Sequence, residues 1–217
     1  MTIMEIRQPT GHATLGSATA LVEAPENRPD ARTRILNEAE RLFRHYGYTK
    51  TTVADIAREL GMSPANIYRF FASKAAIHEA LADRMLAEVE NGAWRIARLP
   101  LPAAERLRLF IVEKHKATVA TMLDEKKVHE MVSVALEEQW AVIERHLDRV
   151  TSIIEMVIKE GIASGEFADQ DAGRAARCFF ASVISVCHPQ IVAQCLDKPN
   201  RATPEELADY AIRALKA

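Results

Sequence analysis

The sequence predicts an all-α protein, and three observations carry that reading. Glycine and proline are sparse, 8 and 9 in 217 residues, and alternating strand patterns with turn signals are hard to find. Apolar residues recur at three- and four-residue steps along most of the chain. Helix-opening signals precede several of those stretches: Thr52 with Asp55 three residues on, Ser63 before Pro64, Ser73 before Lys74, and Thr203-Pro204-Glu205-Glu206. A β-sandwich, a barrel or a Rossmann enzyme is disfavoured on the same grounds.

The elements follow in order. Residues 1–29 mix Thr, Ala, Gly and Pro without periodicity and read as a flexible tail. Ile35, Ala39, Leu42, Phe43 and Tyr46 mark one face of a first amphipathic helix, which Gly47 stops. Val53, Ile56, Ala57 and Leu60 give a short second helix, ended by Gly61. Ser63 caps a third, with Pro64 at its first position and Ile67, Phe70 and Phe71 as apolar anchors. A longer helix starts at Lys74 and runs through Ile77, Leu81 and Met85 towards Trp94. Gly92 marks either a bend in it or its end, since glycine inside a helix costs roughly 1 kcal/mol relative to alanine. Pro100 and Pro102 close the segment, so the sequence predicts a first domain over 30–90 and a second over 91–217. Further helices are expected over about 103–123, 126–137, 138–163 and from near Asp171, the last interrupted by Pro189. Thr203 to Glu206 opens a final helix to about Leu215.

Composition narrows the class. Apolar residues make up 48% and charged residues 27%, as in an ordinary soluble globular protein. Three cysteines cannot all pair within one chain, which argues against a secreted disulfide scaffold. No apolar run approaches the roughly 20 residues that span a bilayer, and Met1 to Pro9 lacks the pattern of a signal peptide. The expected address is the cytoplasm, with no membrane partner. Charge is uneven: residues 28–78 carry a net +4, while 1–27 carry −2 and 79–217 carry −4. A basic stretch inside an acidic chain is a candidate footprint for phosphate.

Thr52 to Phe71 has the plan of a helix-turn-helix. Its second helix must pack by the Ile67 and Phe70 side and leave the opposite side free, because the major groove of B-DNA admits one α-helix. The residues go further than the plan. Ile35-Leu36, Ala39, Leu42-Phe43, Gly47-Tyr48, Thr51-Thr52-Val53, Asp55-Ile56-Ala57, Gly61, Ser63, Ile67-Tyr68, Phe71 and Ser73-Lys74 agree in type and spacing over Arg34–Leu86 with the DNA-binding domain of the TetR family of transcriptional repressors, which this run resembles. Ala75 is a departure, since an acidic residue is common there.

The resemblance implies roles by position. Thr52, with Thr51, stands where a hydroxyl meets phosphate; Tyr68 and Lys74 stand where the backbone of DNA is held. Pro64, Ala65, Asn66 and Arg69 stand where the recognition helix faces the groove. Chemistry agrees: Asn pairs bidentately with adenine and Arg with guanine, each worth about 1–3 kcal/mol of discrimination. Each residue also has a plainer role, as a helix cap (Thr52, Ser63), a core aromatic (Tyr68) or a solvated charge (Arg69, Lys74). Arg32, Arg41, Arg44 and Lys50 read as surface charges, with Lys50 a weaker phosphate candidate.

For the C-terminal part the resemblance implies a helical bundle that binds a small molecule and forms a homodimer. The apolar stretch over about 172–187 and the capped last helix support the dimer independently. Pocket candidates on the middle helices are Trp94, His115, Met122, Trp140 and His146. Cys178, Cys187, His188 and Cys195 match no standard zinc spacing, so no metal site and no cofactor are expected. No nucleophile–base pairing, Gly-rich phosphate loop or HExxH-type motif argues for an enzyme. The expected function is a dimeric regulator, a repressor of a double-stranded DNA operator released by a small-molecule inducer. The rival is an all-helical small-molecule or lipid-binding module without DNA function.

Overall fold

A computed structural model describes residues 30–124, 130–134, 140–195 and 198–216, without the side chains of 121–124 and 140. The expected tail over 1–29 and most of the helix expected over 126–137 lie outside the described residues. Those described form helices and connecting turns, with no strand among them. In chain order they are α1 (Ala31–Tyr46), α2 (Val53–Glu59), α3 (Pro64–Tyr68), α4 (Lys74–Ala97), α5 (Ala103–Asp124), α6 (residues 130–134), α7 (Trp140–Ala163), α8 (Ala172–Cys187), α9 (Pro189–Cys195) and α10 (Pro204–Leu215).

Two apolar cores organise them. The first gathers Ile35, Phe43, Ile56, Ile67, Phe71 and Leu81 from α1, α2, α3, α4 and the turn after α3. Full burial of such side chains contributes about 1.5–3 kcal/mol each, which is what holds helices as short as α2 and α3 in place. Met131 of α6 belongs to this core although it lies fifty residues further along the chain. The second core gathers residues of α4, α5, α7, α8 and α10, with Leu107, Ile111, Ile154, Ile158 and Val183 deep inside.

α4 joins the two. Its Ile77 and Leu81 lie in the first core and its Ala93 and Ala97 in the second. It runs unbroken through Gly92, so the glycine neither ends nor interrupts the helix. Space permits alanine there: an added Cβ would meet nothing closer than the Arg95 guanidinium at 3.8 Å.

Sequence signals explain the other ends. Gly47 takes φ 94°, a conformation that disfavours a side chain, and its N–H closes on Phe43 O at 2.9 Å. Pro189 ends α8; His188 is extended, and α9 leaves at a 45° bend. The Thr203–Glu206 box opens α10 with both hydrogen bonds formed. At the far end of the bundle the Glu166 carboxylate caps α5 by accepting from Ala103 N at 2.7 Å and Ala104 N at 3.0 Å. One expectation changes. Phe70 is 40% exposed, while Phe71 is 4% exposed and fills the core place beside Ile67. α3 ends at Tyr68, so the anchor comes from the turn beyond the helix.

Candidate nucleic-acid interface and apolar cavity

α2 and α3 are fixed by their caps. Thr52 Oγ1 accepts from Asp55 N at 3.2 Å, and Asp55 Oδ2 accepts from Thr52 N at 3.0 Å. The Thr52 hydroxyl also donates to Asp55 Oδ2 at 2.6 Å, and these bonds hold the Asp55 carboxyl below its ordinary pKa. Gly61, at φ 64°, makes the turn. Ser63 Oγ then accepts from Asn66 N at 3.2 Å to start α3. Ile67 is fully buried and points α3 at the core.

The opposite side of α3 is open. Pro64, Ala65 and Arg69 are exposed, Asn66 is half-buried, and Tyr68 is 52% exposed. Lys74 has a second job. Its Nζ donates to Tyr48 O at 3.0 Å and sits 4.1 Å from the centre of the Tyr48 ring, so it ties the start of α4 to the turn after α1. Thr51 departs from its expected place. It is 2% exposed, and its hydroxyl donates to Gly47 O at 2.8 Å, an interior brace with nothing left for a phosphate.

The basic residues of this domain sort into two groups. Arg41 pairs with Glu38 and Glu59, Arg44 with Glu40, Arg58 with Asp55, and Arg84 with Glu40. Those charges are locally cancelled. Arg69 and Lys50 have no acidic partner among the described residues, and Arg32 lies against the Phe71 ring at 4.8 Å rather than against a carboxylate. The net positive charge seen in the sequence therefore includes uncompensated cations on and beside α3.

Between the two cores lies a cavity of about 350 Å³. Leu86, Ile143, Leu147, Phe180 and Ile184 give it apolar walls, and Met131 of the first core and His78, which packs on Phe43 and Tyr48 of that core, form part of its lining. Its polar lining includes Lys114, His78, His146, His188 and Cys187, with no carboxylate among the described residues. His146 Nδ1 lies 2.8 Å from Glu90 Oε1, and Arg149 Nε donates to Glu90 Oε2 at 2.7 Å. Burial outweighs the Glu90 contact and lowers the His146 pKa. Burial likewise lowers Lys114 and His188, and pushes the Cys187 thiol up to about 11.

Of the pocket candidates read from sequence, His146 lines this cavity. Trp94 instead packs on the second core, with the Arg98 guanidinium 4.9 Å from its ring centre. His115 lies 2.8 Å from Val186 O and faces a separate groove beside Lys198 and Thr203. The side chains of Met122 and Trp140 lie outside the described residues. Sequence reasoning missed Lys114 and His188.

Comparison with known proteins decides the family. The model of the bacterial regulatory proteins of the tetR family matches residues 35–81, and that of the tetracyclin repressor-like C-terminal domain matches 103–208. The HTH-type transcriptional regulator TtgR of Pseudomonas putida is 29% identical over 170 residues, covering 73% of this chain and 79% of TtgR. The chain belongs to the TetR family. Among solved structures, a TetR/AcrR-family regulator from Thermobifida fusca superposes with a TM-score of 0.59 at 25% identity, over 86% of this chain and 96% of that one. The regulator FadR of Bacillus subtilis, solved with stearoyl-CoA, shares the fold with a TM-score of 0.56 at 19% identity, over 85% and 97%. This TetR-family chain is a DNA-binding transcriptional regulator, and the open face of α3 belongs to the domain that the tetR-family model matches. No single helix among its described residues is long and apolar enough to cross a membrane.

Proposed function

We propose that this regulator is a cytoplasmic homodimeric repressor, without enzymatic activity, released from an inverted-repeat operator by a small molecule held in the cavity. The two cores support a division into residues 30–90 for DNA and 91–217 for ligand and dimer, crossed by Met131 in the first core and by Ala82, Met85 and Leu86 in the cavity lining. The observation that carries the reading is the pairing of a solvent-facing α3 with uncompensated basic side chains on the same domain. Asn66 and Arg69 read bases; Tyr68, Lys74, Thr52 and Lys50 meet the phosphates. Pro64 and Ala65 offer apolar contact to a thymine methyl. Two recognition helices about 34 Å apart in a dimer match half-sites one helical turn apart. α8 and α10 supply the subunit contact; Tyr210 on α10 is 66% exposed.

Ligand response needs a path from cavity to α3, and α6 supports one. Glu130 Oε1 accepts from Thr49 N at 3.0 Å and from Thr49 Oγ1 at 2.6 Å, clamping the turn after α1. The next residue, Met131, lines the cavity and fills the DNA-binding core. His78 also lines the cavity and lies 4.6 Å from the Tyr48 ring, whose residue holds Lys74. A ligand that moves α6 or His78 therefore shifts the frame of α3. By linkage, operator and ligand then weaken each other equally. Sites selected from random DNA should be inverted repeats, and binding should be lost on adding the effector. Recovery of no preferred sequence would overturn the reading and favour a helical binding module.

A further inference from the structure

We propose that the cavity takes a medium-sized apolar monocarboxylate, its carboxylate on Lys114 and its body against the walls of α4, α7 and α8. The proposal rests on the reading of this cavity as the effector site and names its ligand class.

The argument begins with charge. Lys114 lines a cavity whose other walls are mainly apolar, and no Asp or Glu lines it among the described residues. Lys114 forms no ion pair with a described residue. Glu90, on the far side of His146, is already held by His146 and Arg149. Cys187 beside Lys114 stays a neutral thiol, so it supplies no counter-anion. His188 also lines the cavity and supplies no anion to Lys114. Buried polar groups are almost always partnered, and a lone buried cation is costly. A ligand carboxylate resolves this, because it pairs with the Lys114 ammonium. A cationic ligand would be repelled, and a neutral one would leave Lys114 uncompensated.

Size and polarity set the body. At roughly 30 Å³ for each water-sized group, 350 Å³ holds about a dozen heavy atoms. Leu86, Ile143, Leu147, Phe180 and Ile184 offer it hydrocarbon contact and no hydrogen bonds. That fits a chain or an aryl-alkyl group carrying a single acid.

Calorimetric titration of the full chain tests this with decanoate and 4-phenylbutyrate against 1-decanol and 4-phenylbutanol. At least one acid should bind tenfold or more tightly than its alcohol. Lys114→Met should abolish the preference and Lys114→Arg should retain it, both variants keeping wild-type circular dichroism and operator affinity. Alcohols binding as well as acids, no binding by either acid, or a preference that survives Lys114→Met overturns the proposal. The effector reading is judged separately: an acid that binds with the expected preference but leaves the operator complex intact refutes that reading and leaves the carboxylate site standing. Release of the operator by some other compound, with neither acid bound, does the reverse.

Discussion

At α3, a helix of five residues held by one buried isoleucine and a serine cap, Tyr68 and the Arg69 that follows its last residue stand in solvent. In the cavity, Lys114 and His188 stand among hydrocarbon walls drawn from several helices. The first region keeps its polar groups hydrated until a polyanion arrives. The second holds them partly buried, with Lys114 lacking an anionic partner among the described residues, at a cost to the free protein. A surface site can thus be encoded locally, by caps and one apolar anchor. An interior site exists only once distant segments have met.

That contrast can be sharpened from its strongest expected effect downwards. Arg69→Ala or Asn66→Ala should relax base preference at one operator position by about 1–3 kcal/mol, read by comparing affinities for single-base operator variants. An effect on salt dependence alone, with base preference intact, would reassign these residues to the phosphates.

Glu130→Gln comes next. It keeps the shape of the clamp on Thr49 but removes its charge, and hydrogen bonds to charged groups are worth roughly 1.5–3 kcal/mol. The factor by which effector weakens operator binding should fall several-fold, while affinity for effector alone stays unchanged. An unaltered factor would leave α4 as the sole connection.

Lys74→Ala should weaken binding to all sequences alike and lower the salt slope by about one. Because Lys74 also holds Tyr48 O, it should lower the Tm as well, an effect that Tyr68→Phe should not share.

The cavity itself should give the smallest signals. Lys114 has a lowered pKa through burial, so its charge costs stability at every pH below the ordinary value of 10.5. Lys114→Met should therefore raise the Tm of the free protein at neutral pH. His146 and His188 are lowered from 6.5 by burial. Their contribution is complete above that value and is lost as the pH falls through their depressed folded values. The Tm should drop on acidification below about pH 6.5, and His188→Gln should reduce the drop.

The same contrast explains what could be read in the sequence. The boxes at Thr52–Asp55 and Thr203–Glu206, the stop at Gly47 and the break at Pro189 act within a few residues, and each appears where the sequence put it. Thr51 and Thr52 are neighbours of identical type, and only the packing of α1 decides that one braces the interior while the other caps α2. Phe70 and Phe71 pose the same problem, settled by the end of α3 at Tyr68. Lys114 was illegible for a stronger reason. Glu113-Lys114-His115-Lys116 reads as a solvated charge run, and Glu113 and Lys116 do pair at 2.8 Å. Only the arrival of α8 beside α5 turns Lys114 inward to a cavity.

The most direct test of the interface is methylation interference on a selected operator, which reports the guanine N7 groups of the major groove. Two patches one helical turn apart, each losing a contact in Arg69→Ala, are the expected result. Interference confined to the phosphates, or a pattern that Arg69→Ala leaves unchanged, would contradict a base-reading α3.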